Sequence, residues 1–213
     1  MSSAVTEDNH ATREAIRAIA ESRRSVRQFL DEPVPDADVQ EILRLTGLAP
    51  SASNVQTWRW AVVRTPDMIE RLVPAMAGAN QATLANAPVG IVLYSDGVQT
   101  LESLEDIMHP GMGAEEVAKR AAGMRERLSQ MEPERLAEWA KTHTFIALGQ
   151  IVLVARAMGY DTATMGGFDQ EAIKETLGLP ATATVTSVIA LGKRKVEGFP
   201  HHRHPVENIT RWY

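Results

Sequence analysis

The stretch from Thr142 to Met158 sets the strongest limit on how this chain folds. It is apolar nearly all round, with Gln150 and Arg156 as interior exceptions, and Gly159 ends it. A helix that shows apolar residues on every face is a buried one. The stretch therefore predicts a central helix with the other elements packed around it. The chain has 213 residues, which suits one compact domain, and 44 % of them are hydrophobic, enough for a core around such a helix. Its longest apolar run, Phe145 to Val154, is broken by Gly149 and Gln150 and is too short to span a bilayer.

The remaining elements follow from periodicity and punctuation. A polar tail over 1–10 leads into a short helix, Ala11–Glu21, with Ile16 and Ile19 on one side. Asp36 is read as the N-cap of a helix with Val39, Ile42, Leu43 and Thr46 at helical spacing, ended by Gly47. Thr65-Pro66 opens a further helix with Met68, Ile69, Leu72 and Val73 on one face. Asp169 caps another, through Ile173 and Leu177 to Gly178. Strands are expected at 58–64, 89–94 and 184–191, and a tight turn at 164–168. Residues 95–141 differ in composition. They are charge-rich, with Pro110 and Pro133 as breakers and helical stretches at 114–130 and 133–141, and they read as an excursion over a core made of 11–94 and 142–205. Three strands among six or more helices give an α+β or α/β sandwich.

The chemistry-bearing pattern is Arg23-Arg24-Ser25-Val26-Arg27-Gln28-Phe29. Guanidinium is always charged, and its planar fork matches phosphate or carboxylate. Arginines this close repel unless solvent or an anion separates them, so an anionic ligand is expected. The C-terminal end of the preceding helix is negative and offers no help to an anion. Side-chain charge has to do the binding. The net charge of −5 argues against nucleic acid as a partner. The chain has no cysteine, which excludes disulfides, thiolate catalysis and cysteine-held metal. With no secretory signal at Met1–His10, a cytoplasmic location is expected. His201-His202-Arg203-His204 invites a metal, yet three histidines in four positions do not converge on one ion, and no metal is expected. Lys193-Arg194-Lys195 reads as a solvated strand end, with the 2′-phosphate of NADPH as the alternative. No glycine-rich dinucleotide fingerprint follows a strand.

Four boxes in order give the chain a resemblance to the nitroreductase family of FMN-dependent oxidoreductases. They are Arg23–Phe29, Ala49–Trp58, Gly166–Phe168, and a basic stretch closing on Arg203 and Pro205. The resemblance runs from about Ile16 to Pro205. It implies an α+β fold, a small, mostly antiparallel sheet wrapped by helices, in an intertwined homodimer with FMN at the interface and a terminal segment exchanged between subunits. It also implies residue roles. Arg23 and Arg203 hold the FMN phosphate, with Arg24 and Ser25 beside the ribityl chain and phosphate and Arg27 at the flavin N1 and O2 edge. Pro50, Ser51, Ala52 and Asn54 come from the partner subunit to line the ring. Thr164, Met165, Gly166 and Gly167 pass near N5, and Asn80 and Gln81 reach the pyrimidine edge. Three positions depart from the family pattern: Thr57 stands in place of a proline, Gly166 where some members place an acidic residue, and His201 where a phosphate-binding lysine is often found.

The activity so implied is ping-pong hydride transfer from NADH or NADPH through FMN to a small-molecule acceptor, such as a nitroaromatic or a quinone. The flavin carries the chemistry, and no protein nucleophile is required. The excursion is expected to act as a lid, with His109, Met112, Met124 and Trp139 as substrate-contact candidates. Other chemistries of the same family are the alternatives: reductive dehalogenation, ene reduction and oxygen-dependent flavin cleavage. A non-catalytic flavin-binding protein is a further one.

Overall fold

The computed structural model describes residues 9–109 and 111–213. Of the tail expected over 1–10, residues 1–8 lie outside the described residues, as does the breaker Pro110; Asn9 already begins a helix.

In chain order the elements are α1 (Asn9–Ser22), α2 (Asp36–Thr46), a 3-10 turn (Ala52–Asn54), β1 (Trp58–Val63), α3 (Pro66–Leu72), a second 3-10 turn (Val73–Ala75), α4 (Ala79–Ala85) and β2 (Val89–Asp96). Then come α5 (Gly97–Glu102), α6 (Ala114–Ser129), α7 (Pro133–Ala157), β3 (Asp161–Met165), α8 (Gln170–Leu177), β4 (Ala183–Gly192) and α9 (Val206–Ile209). The strands form one sheet in the order β1-β2-β4-β3, and every pair is antiparallel. The architecture is α+β.

Strand alternation splits the core into two layers. Ile91, Leu93, Ile189 and Leu191 face α7 and α2, and they pack with Ile42, Ala147, Ile151 and Ala155. Val92, Val188 and Ala190 face the other way, against α3, α4 and α8, through Leu72, Leu84 and Ile173. Val26 and Phe29 of the arginine-rich segment join this second layer. Facing residues skip Thr186: Val185 and Ser187 pair with the successive residues Tyr94 and Leu93. Such a bulge re-aims a side chain, and here the Thr186 hydroxyl lies 2.6 Å from that of Thr144 on α7.

Local signals account for several ends. Thr65 caps α3 by accepting from the Met68 N–H, and Asp169 caps α8 by accepting from the Glu171 and Ala172 N–H groups. Such caps contribute about 1 kcal/mol each. Gly178 closes α8 in the left-handed conformation, at φ 63°.

Three sequence expectations are corrected. Asp36 is the first helical residue of α2, not its cap. Pro35 holds the cap position with no side-chain bond, and Asp36 instead pairs with Arg64. The segment 161–165 is a strand rather than the approach to a turn. Its sequence, Asp-Thr-Ala-Thr-Met, carries little apolar alternation; pairing with β4 is what extends it. Finally, α7 is not buried on every face. It begins at Pro133, absorbing the stretch expected to be a separate helix, and only one side meets the sheet. Ala147, Ile151 and Ala155 are buried, whereas Phe145 is 51 % and Ile146 42 % exposed. Composition shows that a helix needs apolar cover all round; it does not say that the cover comes from the same chain.

Candidate cofactor site

The arginine-rich segment leaves the end of α1 and runs extended beside the free edge of β3. Ser25 bridges Thr162 in parallel, and the Val26 N–H donates to the Thr162 carbonyl at 3.0 Å. Further on, Leu30 and Lys195 close two backbone bonds with Lys193 and Gln28 across the Phe29–Arg194 bridge. Val26 and Phe29 point into the core, so Ser25, Arg27 and Gln28 face out. Asn86, at the end of α4, fixes the same backbone: its Oδ1 accepts from the Phe29 N–H and its Nδ2 donates to the Arg27 carbonyl, each at 3.0 Å.

The segment after β4 folds back over this box. Gly198 makes the approach possible, since a Cβ there would lie 2.7 Å from the Ser25 carbonyl oxygen and 2.8 Å from the Arg24 Cβ. Together the two segments line a cavity of about 200 Å³ with Arg23, Arg24, Ser25, Arg27, Phe199, Pro200, His201 and Arg203. Four guanidinium groups share it, and none of its lining residues is acidic. Burial, then the charges of Arg203 and Arg24, push the Arg23 guanidinium below its ordinary pKa. Arg24 is partly occupied, donating to the Glu21 and Arg23 carbonyls at the end of α1. Such a concentration of uncompensated cations suits a multiply charged anion such as a phosphate.

Behind the cavity sits a clasp that sequence reasoning missed. The Asp161 carboxylate is buried and accepts both arms of the Arg194 fork at 2.7 Å, with Arg156 at 3.2 Å. Arg194 also donates to the Ser22 carbonyl, and Arg156 to the Ser22 hydroxyl. The central residue of Lys193-Arg194-Lys195 is therefore not a solvated strand end but a structural fork whose pKa the Asp161 bond raises. A run of three basic residues gave no hint of which one turns inward.

At the other end of β3 the double-glycine turn meets the α4 region. Asn80 Nδ2 donates to the Gly167 carbonyl at 3.1 Å, and the Ala77 N–H donates to the same oxygen. Gln81 instead donates to the Met76 carbonyl. Met165 is buried in the core, while Thr164 and Gly166 are exposed at the edge. The box, β3 and this turn thus form one continuous rim, from the arginine cavity past Ser25 and Thr162 to Gly166 and Asn80.

The loop 50–57 lies elsewhere. Ser53, Asn54 and Gln56 all take positive φ, at 52°, 59° and 43°. Each such non-glycine position costs about 1–3 kcal/mol and persists where surroundings enforce it. The enforcing contacts are visible: Ser51 Oγ accepts from the Gln56 N–H, and Asn54 Nδ2 donates to the Ile107 carbonyl at 2.7 Å. Thr57, the departure from proline, donates to the Ala140 carbonyl at 2.7 Å and ties the loop to α7. Pro50, Ser51 and Ala52 line neither this loop's neighbouring cavity nor the arginine cavity. Ser53 and Asn54, however, line a second cavity, of about 880 Å³, with Ile107, Met108, His109, Met112 and Met124 of the excursion. Trp139 is not part of it. Its ring packs edge-on against His143, with centroids 4.8 Å apart.

Beyond Gly198 the chain runs over the surface, with Phe199, Val206, Ile209, Trp212 and Tyr213 exposed. His201 meets the Ala20 carbonyl at 3.3 Å, and Arg203 donates to the neighbouring His202 carbonyl. Among the described residues no group of three His, Asp or Glu side chains is placed to hold a metal ion. No helix among them is long and apolar enough to cross a membrane.

Comparison with known proteins agrees with this layout. The profile of the Nitroreductase family matches residues 20–193. A Thermus thermophilus protein named NADH dehydrogenase is 37 % identical over 196 residues, covering 92 % of this chain and 95 % of that one. A Bacillus subtilis protein, YdgI, provisionally named an NAD(P)H nitroreductase, is 30 % identical over 203 residues, covering 91 % and 95 %. A provisionally named nitroreductase of Exiguobacterium sibiricum, crystallised with FMN, superposes with a TM-score of 0.84 at 26 % identity, covering 93 % of this chain and 97 % of that one. The matched span takes in the arginine box, the strained loop, all four strands and the double-glycine turn, and on that breadth of agreement the chain belongs to the nitroreductase family.

Proposed function

We propose that this chain is an FMN-dependent NAD(P)H oxidoreductase that works as a homodimer and reduces a nitroaromatic, quinone or similar conjugated acceptor. The observation that carries the proposal is the gathering of Arg23 and Arg203, from opposite ends of the chain, into one cavity with Arg24 and Arg27 and no acidic lining residue. The rim fits the rest of the cofactor. A phosphate answers the cations, Ser25 offers a hydroxyl beside it, and the exposed Thr164 and Gly166 at the β3 edge leave an open face for a flat ring system. Asn80 bonds the Gly167 carbonyl at the far end of this rim, where it would meet the pyrimidine edge.

Bound FMN supplies a two-electron carrier, and the protein supplies binding, orientation and electrostatics. Arg27 would set a fixed positive charge at the N1 and O2 edge of the bound flavin and so raise its reduction potential. Arg23 and Arg203 neutralise the phosphate. In the net reaction with a nitro acceptor, NAD(P)H and one proton are consumed. NAD(P)⁺, a nitroso product and water are released.

Two features support the dimer. The outward face of α7, with Phe145 and Ile146, is apolar and uncovered by its own chain. The loop 50–54 and the arginine cavity also lie apart within one chain, as required if the loop lines the ring held by the partner. The core 11–94 and 142–205 then forms one FMN-binding domain, with 95–141 over the flavin as a lid.

Titration of the apoprotein with FMN tests this reading. Arg203→Ala is expected to weaken binding about 10- to 100-fold, the range of one charge-assisted hydrogen bond. Arg27→Ala is expected to retain FMN but with a lowered potential. Affinity unchanged in the first and potential unchanged in the second would refute the assignment. An aerobic and anaerobic acceptor screen separates reductase activity from flavin cleavage.

A further inference from the structure

The cavity between the strained loop and α6 carries a charge pattern that the general reading does not use. Arg120, Gly123, Met124 and Arg127 lie at i, i+3, i+4 and i+7 on α6, so one stripe of the helix faces the cavity. The floor is apolar, with Ile107, Met108, Met112 and Met124. Thioether side chains adapt to flat or irregular apolar bodies. A Cβ added at Gly123 would meet nothing within 4 Å, so the space between the two arginines is open.

The charged groups at this wall are few. Arg120 gives its Nε to Glu116 at 2.5 Å, which leaves the rest of its fork available. Arg127 is exposed and makes no side-chain bond among the described residues. Asp106 is the one acidic residue in the lining, and His109, itself exposed, accepts from the Gly111 N–H of its own turn through Nδ1. The helix itself is anchored from another side. Arg125 Nη2 donates to both oxygens of the Glu105 carboxylate, at 2.7 and 3.0 Å, and its Nε donates to the Leu101 carbonyl. The stripe is thus held in place without using Arg120 or Arg127. In a chain whose net charge is −5, two exposed guanidiniums lining a cavity with an apolar floor form a local exception.

We propose that this cavity selects an acceptor with an apolar, conjugated body and a carboxylate end, the body on the methionines and the carboxylate at Arg127 with Arg120. The inference rests on the functional reading above, in which Ser53 and Asn54 place this cavity beside the flavin. It assigns Arg127 as a specificity-determining residue.

The test uses the FMN-loaded protein and a matched pair of probes, 4-nitrobenzoate and 4-nitrobenzamide, with the donor and acceptor half-reactions followed separately. Wild type is expected to favour the acid. Arg127→Gln should lower the acid-to-amide ratio of kcat/KM about tenfold, the scale of one lost charge-assisted contact. Bleaching by NADH and NADPH should stay unchanged. Gly123→Leu, a substitution that improves helix propensity, should slow both probes to a similar extent, keeping their ratio, while leaving FMN retention intact. An acid-to-amide ratio that Arg127→Gln leaves unchanged overturns the inference. So does a loss confined to bleaching by NADPH, which would place the donor's phosphate at Arg127. Either result leaves the flavoenzyme reading standing. A protein that takes up no FMN overturns that reading and this inference together.

Discussion

Gly198 is where a single side chain decides whether the arginine cavity can form. A Cβ there would lie 2.7 Å from the Ser25 carbonyl oxygen, and a backbone oxygen pinned beside β3 cannot yield as the tip of a flexible side chain can. Gly198→Ala should push the returning segment away from the box and carry Arg203 with it. The expected outcome is FMN affinity reduced about tenfold or more, the scale of one lost charge-assisted contact. The apoprotein's melting temperature should change little, because the segment beyond Gly198 buries little apolar surface. Unchanged FMN affinity in that variant would contradict the geometry. Asp161 and Arg194 act at the same scale from behind the cavity. A buried carboxylate held by a two-armed fork keeps Ser22, and with it the start of the box, in register.

At the scale of elements, Tyr160 joins the end of α7 to α2. It is buried, its hydroxyl donates to the Asp38 carboxylate, and burial followed by that bond pushes its pKa up to about 12. The folded state favours the neutral phenol, whereas the unfolded chain titrates near 10. The stabilisation is therefore complete below about pH 10 and is lost as pH rises toward 12. Urea melts at pH 9 and pH 11.5 should show this fall. Tyr160→Phe should cost about 1 kcal/mol at pH 8 and flatten the alkaline decline; an equally steep decline in the variant would contradict the assignment. The elements also show what the sequence carries. The helix start at Thr65-Pro66, the cap at Asp169 and the apolar runs of β2 and β4 were legible, because local chemistry sets them. The arginine box was legible as a concentration of cations, and the fold brings Arg23, Arg24 and Arg27 into one cavity with Arg203. By contrast β3 owes its extension to its neighbour, and Arg194 differs from Lys193 and Lys195 only through a carboxylate placed by the fold. Asp161 and Asn86 carried no signal at all, being ordinary residues until β3 and α4 bring them to the box.

On the scale of the whole molecule, the outward face of α7 matters most. Phe145 and Ile146 stand exposed on a helix whose other face is the centre of one core layer. The exposed tail through Ile209, Trp212 and Tyr213 adds further uncovered apolar surface. Phe145→Glu with Ile146→Glu should yield a monomer that stays folded, since neither residue belongs to the core. It should also lose FMN, since the proposed ring site takes one wall from each subunit. Sedimentation with absorbance detection reads both at once, and a monomer that retains FMN at full affinity would refute the shared site. The central claim, that distant arginines gather around one redox-active flavin, is tested most directly by the visible spectrum of the purified protein under anaerobic conditions, before and after a slight excess of NADH or NADPH. The account predicts a yellow protein that is bleached by one or both donors. A protein that stays colourless when FMN is supplied, or whose bound flavin neither donor bleaches, would contradict it.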